Sequence, residues 1–119
     1  MWIYSQKTGE LLHDAAFEGS GYSGTAGGRN NPDAQSLRDI GPVPEGLYAI
    51  GEAFDHPRLG PCVMPLYPEL GTNTFGRSAF YIHGDNARHD ASHGCIILGP
   101  AIRERIAADP DHKLTVTAA

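Results

Sequence analysis

A chain of 119 residues is sized for one domain with one core, burying about two-thirds of the surface its unfolded form exposes. With 40% hydrophobic and 19% charged residues and a mean hydropathy of −0.31, it has the composition of a globular protein, and its net charge of −5 leaves no basic stripe for nucleic acid. No apolar run approaches the roughly 18 residues of a membrane span, and the opening MWIYSQKTGE lacks the charged-then-apolar layout of a secretory leader.

In chain order, MWIYSQKTGELLHDA predicts two short strands turning at Lys7-Thr8-Gly9, because Trp2, Ile3 and Tyr4 favour extended backbone and Thr-Gly favours a turn. The glycine-rich FEGSGYSGTAGGRNNPD predicts a long surface loop with Tyr22 available to a ligand. Asp33 to Arg38, after Pro32, predicts a single helical turn. Leu47-Tyr48-Ala49-Ile50 predicts a strand punctuated by Gly46 and Gly51. DHPRLGPCVMPLYPELGTNTFGR is broken by prolines, so Cys62-Val63-Met64 is expected as a short edge strand confined by Pro61 and Pro65. Ala79-Phe80-Tyr81-Ile82 predicts a core strand that delivers His83 at its end. Ile96-Ile97-Leu98 predicts a short buried run, and GPAIRERIAADP a helix that starts at Pro100 with Ile102 and Ile106 on one face. Lys113 to Thr117 alternates polar and apolar residues and predicts a last strand. The pattern is mainly β: a curled sheet or small β-sandwich in a single domain spanning residues 1–119, with one short helix near its C-terminus.

Between the core strand and the buried run lies HGDNARHDASHGC, residues 83–95, with three histidines, two aspartates and a cysteine. A metal site would draw on His83, His89 and His93, but their spacing matches none of the paired patterns that hold zinc. A nucleophilic cysteine is the second reading. A free thiol with a pKa of about 8.5 is mostly protonated at neutral pH, so Cys95 needs a base or a cationic neighbour. His83, anchored at a strand end, can take the proton, and the side chain of His93 is the alternative base. The backbone N–H groups of His93, Gly94 and Cys95 are candidates for an oxyanion hole, and Gly94 lets that turn adopt positive φ. Ser92 shapes the turn and, with Tyr22 and Arg88, is a candidate substrate contact. A solvated loop without function is the third reading, and it is the one assigned to His89, Asp85 and Asp90. Cys62, between prolines, is read as inert, and His13, His56 and His112 as surface residues.

The segment Ala79-Phe80-Tyr81-Ile82-His83-Gly84, followed by Ser92-His93-Gly94-Cys95-Ile96, resembles the signature of the L,D-transpeptidase catalytic domain, and Gly41 to Ile50 is similar to the Pro-x-Gly-x-aromatic strand upstream of it. Gly21-Tyr22-Ser23-Gly24 and Arg29-Asn30-Asn31-Pro32-Asp33 resemble the compact L,D-transpeptidase-like toxins of bacterial type VI secretion. The resemblance implies a cysteine nucleophile at Cys95, a base at His83 oriented by the Gly84 carbonyl, and a thioester formed on a peptidoglycan tetrapeptide stem. It implies no metal or organic cofactor. The chain departs from the commoner Cys-apolar-Arg pattern at Ile97, and Arg29, Arg77 or Arg88 would have to replace that cation.

The expectation is an L,D-carboxypeptidase or L,D-transpeptidase, made in the cytoplasm without a signal peptide, that acts in the periplasm of a target bacterium and is met in the producer by an immunity protein. The alternatives are a housekeeping L,D-transpeptidase and a non-catalytic module that binds peptidoglycan or a partner. A wall endopeptidase in which the cysteine precedes a distant histidine fits the chain order poorly, because only His112 follows Cys95.

Overall fold

In the computed structural model, which describes residues 1–119, Thr8 and Gly9 close a hairpin between β1 (Trp2–Ser5) and β2 (Glu10–His13). The chain then continues through β3 (Ala16–Ser20) and β4 (Tyr22–Ser23), β5 (Gly46–Ile50), β6 (Phe54–His56), β7 (Gly60–Pro68), β8 (Phe80–His83), β9 (Ile96–Ile97), α1 (Pro100–Ala108) and β10 (Lys113–Thr117). Nine strands form one curled, nearly closed sheet in the order β3-β2-β1-β10-β5-β7-β8-β9-β4, and β6 pairs with β7. The architecture is the expected mainly β one with a single helix.

Besides the short strand β6, which the sequence did not announce, two segments differ from the sequence reading. The glycine-rich stretch does not remain a loop. Its first part pairs antiparallel with β2 across a bulge at Leu11 and Leu12, and Tyr22–Ser23 pair with β9. The lack of a side chain at Gly21 makes this possible, since a Cβ there would lie 1.7 Å from the Ile97 carbonyl oxygen. Only short 3₁₀ turns, Ala26–Gly28 and Pro32–Ala34, follow, the second capped by the Asn31 side chain accepting from Asp33 N–H.

The second difference is β7. It is a nine-residue strand flanked by β5 and β8 rather than an edge, and it contains Pro61 and Pro65. The Pro65 carbonyl accepts from Gly51 N–H just past the end of β5. On an antiparallel strand a residue's N and O face the same neighbour, so the donor that Pro65 lacks falls where that ladder has already ended.

The core lies on the concave side of the sheet. Trp2, Tyr4, Tyr48, Met64, Ile82 and Ile96 are at most 2% exposed and belong to one cluster, closed from below by Ile106 and Ile102 of α1. Full burial of each such side chain contributes about 1.5–3 kcal/mol. Tyr48 donates to the Pro44 carbonyl at 2.7 Å and meets Phe80 edge to face, so it serves the core. His13, read as a surface residue, stacks on Trp2 at 3.8 Å between ring centroids.

Candidate active site

The site is built where β8 and β9 run parallel, with Ile82 opposite Ile96 and His83 opposite Ile97. Alternation along a strand sends neighbours to opposite faces. Ile82 and Ile96 enter the core cluster, whereas His83, Ile97 and, by the same parity, Cys95 lie on the other face. The nucleophile and base of the sequence reading therefore share one face of two adjacent strands.

His83 is 2% exposed, and its Nδ1 lies 2.8 Å from the Gly84 carbonyl oxygen. A carbonyl only accepts, so Nδ1 carries the hydrogen and the neutral ring keeps its lone pair on Nε2. Burial holds the imidazole below its ordinary pKa, and the positive charge of Arg103 works in the same direction. The ring is therefore neutral at pH 7.

Cys95 is half-buried and leans over β8, with its thiol 3.8 Å from the Ala79 carbonyl oxygen. Burial pushes the thiol up to about 11, opposed by the N–H of Tyr81 and the charge of Arg77. The expected resting thiolate is thus replaced by a thiol on the same face as a neutral imidazole, because burial outweighs both stabilising groups. Cys62 and Cys95 are both free.

The turn before Cys95 rests on Ser92, which is wholly buried. Its hydroxyl donates to the Cys95 carbonyl at 2.6 Å and accepts from Gly24 N–H at 2.8 Å and Gly94 N–H at 3.2 Å. One donor and two lone pairs are then used up, so Ser92 shapes the turn and offers nothing to a substrate. The same bond draws the Gly94 N–H away from the oxyanion role. Gly94 itself has φ +118°, and a Cβ there would sit 2.3 Å from Arg77 Nη2.

Arg77 supplies the cation near the sulfur that the sequence lacks at position 97. It is 6% exposed, with Nη1 donating to the carbonyls of Gln35 and Pro42 and Nη2 to that of Gly41 at 3.0 Å. Of the other two candidates, Arg29 lies over the Tyr22 ring, 3.7 Å from its centroid, and donates to the His89 carbonyl. Arg88, expected to touch substrate, is exposed at the outer tip of the loop and lines none of the clefts described here.

The rest of the histidine-rich loop is a self-supporting flap. Tyr22 is 5% exposed; it donates from its hydroxyl to Asp85 at 2.6 Å and accepts from Ala91 N–H at 2.9 Å, and burial, followed by the Asp85 contact, pushes its pKa up to about 12. Its hydroxyl thus holds the flap, while its ring borders a cleft. Asp85 also accepts from His89 Nδ1 and Asn86 N–H, both at 2.8 Å. Burial acts to raise the Asp85 carboxyl, but the hydrogen bonds from Tyr22, His89 and Asn86 together outweigh it and hold the group below its usual value. Asn86 and Asp90 bond reciprocally. His83, His89 and His93 do not converge as a metal site would require; the one triplet of ligand-type side chains within 4.8 Å of one another is His13, Asp14 and Asp111, elsewhere.

Three clefts adjoin. One of about 440 Å³ is lined by His83, Gly84, Asp85, Asp90 and the exposed His93. A second, of about 490 Å³, shares Leu59, Gly84 and Asp85 with it and runs to Tyr22 and Arg103. A third, of about 220 Å³, shares His93 and reaches Arg77 and Ala79, beside the sulfur. Arg103 was missed in the sequence, where PAIRERI presents it as one of three consecutive charged residues on a helix.

No helix is long and apolar enough to cross a membrane. Neither the curated proteins nor the solved structures yield a match to this chain. Residues 18–118 match the model of the Tlde1 domain, a match that takes in β4 to β10, the flap and every residue of the site. The chain belongs to the Tlde1 domain family of type VI secretion effectors, a membership that implies a cognate immunity protein.

Proposed function

We propose that this effector is a cysteine acyl-transferase that attacks the tetrapeptide stem of peptidoglycan in the periplasm of a target cell, acting as an L,D-carboxypeptidase or L,D-transpeptidase. The observation that carries this reading is the His83 tautomer: Nδ1–H is tied to the Gly84 carbonyl, leaving Nε2 free as a base on the face it shares with Cys95.

Cys95 Sγ attacks the carbonyl of the third stem residue, meso-diaminopimelate, while His83 Nε2 takes the thiol proton. Starting from two neutral partners, proton transfer accompanies attack instead of preceding it. The backbone N–H groups of His93 and Cys95 face the developing oxyanion, and the Arg77 charge favours the anionic sulfur as leaving group later in the cycle. The tetrahedral intermediate collapses with cleavage of the C–N bond, and the imidazolium returns its proton to the departing D-alanine amine. Water then resolves the thioester to a tripeptide, or an amine resolves it to an exchanged or cross-linked product.

Purified protein incubated with tetrapeptide muropeptides is expected to yield tripeptides, and Cys95→Ala to yield none, as read by mass spectrometry. Unchanged tetrapeptide in the presence of folded wild-type protein overturns the reading and favours a non-catalytic binding module.

A further inference from the structure

Arg103 is a buried cation with no acidic partner. It is 6% exposed, and its Nε donates to the Leu98 carbonyl at 3.0 Å and its Nη1 to the carbonyls of Pro61 and Cys62 at 2.7 and 3.3 Å. No carboxylate lies within salt-bridge distance, whereas the neighbouring Arg105 pairs with Glu18. Nη2 donates to no group of the protein. It is not sealed off either, since Tyr4 Oη and Gln6 Oε1 are the only unpartnered side-chain polar atoms shut away from the surface. Instead Nη2 packs against Gly84, where a Cβ would come within 2.8 Å of it, on the wall of the 490 Å³ cleft.

Burying a full charge is costly unless an opposite charge or a complete set of hydrogen bonds compensates it. Carbonyl dipoles compensate Arg103 only in part, and the uncompensated edge faces the cleft. The first turn of α1 opens on the same space: Gly99 and Pro100 line it, and Gly99 caps the helix without a side-chain hydrogen bond. The positive end of the helix therefore adds to the field of the guanidinium. The one acid on these walls, Asp85, has its oxygens taken by Tyr22, His89 and Asn86 N–H within the flap. Through Leu59, Gly84 and Asp85 this cleft is continuous with the one that holds His83.

We propose that Arg103 is a substrate-binding residue that receives a free carboxylate of the peptide, and that this anchor sets which carbonyl reaches Cys95. The proposal rests on the peptide acyl-transfer reading above. A tetrapeptide stem offers three such carboxylates: that of the terminal alanine, that on the side chain of the diamino acid, and the α-carboxylate of the glutamyl residue. Each is removed in turn by amidation.

The experiment compares the free tetrapeptide with the three singly amidated forms. With wild-type protein, one amide is expected to raise KM about 10- to 100-fold, the size expected for a hydrogen bond to a charged group, with kcat little changed. Arg103→Gln is expected to raise KM for the free acid to that of this amide while leaving the amide itself unaffected, and Arg103→Lys to lie between. Equal KM values for all four peptides in the wild type, or an Arg103→Gln effect equal on acid and amide, overturn the proposal. If the glutamine variant does not fold, Arg103→Lys carries the comparison: a KM for the free acid equal to that of wild type overturns the proposal, and one between those of acid and amide supports it. Calorimetry of the same peptides on Cys95→Ala protein separates the two readings: acid-selective binding without wild-type turnover removes acyl transfer and keeps the anchor, and turnover without acid selectivity does the reverse.

Discussion

Replacing Gly94 by alanine tests the packing that underlies the nucleophile. The residue has φ +118°, where a side chain is strained by about 1–3 kcal/mol. The new methyl would also stand 2.3 Å from Arg77 Nη2. A free arginine would swing aside, but this one is held by the carbonyls of Gln35, Gly41 and Pro42. Yielding means breaking at least one hydrogen bond to a charged group, about 1.5–3 kcal/mol. The sum, about 2.5–6 kcal/mol, is a large part of the roughly 5–15 kcal/mol that holds a typical domain together. Thermal unfolding is therefore expected to fall by roughly 10 °C or more. The double variant Arg77→Ala/Gly94→Ala removes the guanidinium that the methyl strikes, so it is expected to lose at least about 1.5 kcal/mol less than the two single losses added together. A Gly94→Ala protein that melts within about 3 °C of wild type, or strictly additive losses, refutes the account of this contact.

In a Cys62→Ser background, the iodoacetamide reactivity of Cys95 is expected to titrate near 11 and to be about 100-fold slower at neutral pH than that of a free thiol; a midpoint below 8 contradicts the thiol–imidazole resting state. His83 is held below its ordinary 6.5, so it contributes stability above that pH that is lost on acidification through its lowered folded value, and the acid limb of kcat/KM falls below 6.5 as well. Cys95 has the opposite sign: its stability contribution is complete below the unfolded thiol value and is lost as pH rises towards 11, a loss that Cys95→Ser is expected to abolish in urea titrations. Tyr22→Phe removes the hydroxyl that joins Asp85 to the Ala91 amide, so Ala91 and its flap neighbours are expected to exchange their amide hydrogens faster than in wild type while β8 is unaffected.

The elements that were legible are those whose cause is local. Trp2 to Tyr4, the strand leading to His83, the helix opened by Pro100 and the alternating Lys113 to Thr117 all carry their own periodicity. The strand through Pro61 and Pro65 was hidden because the rule against proline depends on which neighbour's ladder continues there, and only the completed sheet shows that β5 has ended. The glycine-rich strand β3 was hidden for a related reason, since pairing with β2 requires a bulge that composition does not announce. In the site, His83, Gly84 and Cys95 were legible because a strand and a tight turn present them. Arg77 was one of three candidates, and Arg103 was not one at all: the carbonyls that hold their guanidinium groups belong mostly to residues about 35 to 42 positions away. At Ser92 the turn-shaping role was legible, whereas the substrate contact also expected of it is not met, because its hydroxyl is spent within its own turn and on Gly24.

One interior seam of the sheet joins residues 2–5 to residues 114–117, side by side and parallel. Without residues 113–117 the opening hairpin loses its link to the strands that carry His83 and Cys95, because β10 lies between β1 and β5. The sheet is thereby completed by its most sequence-distant pairing, the one with the largest loop-closure entropy. With both thiols unpaired, reaching the native form requires no disulfide oxidation.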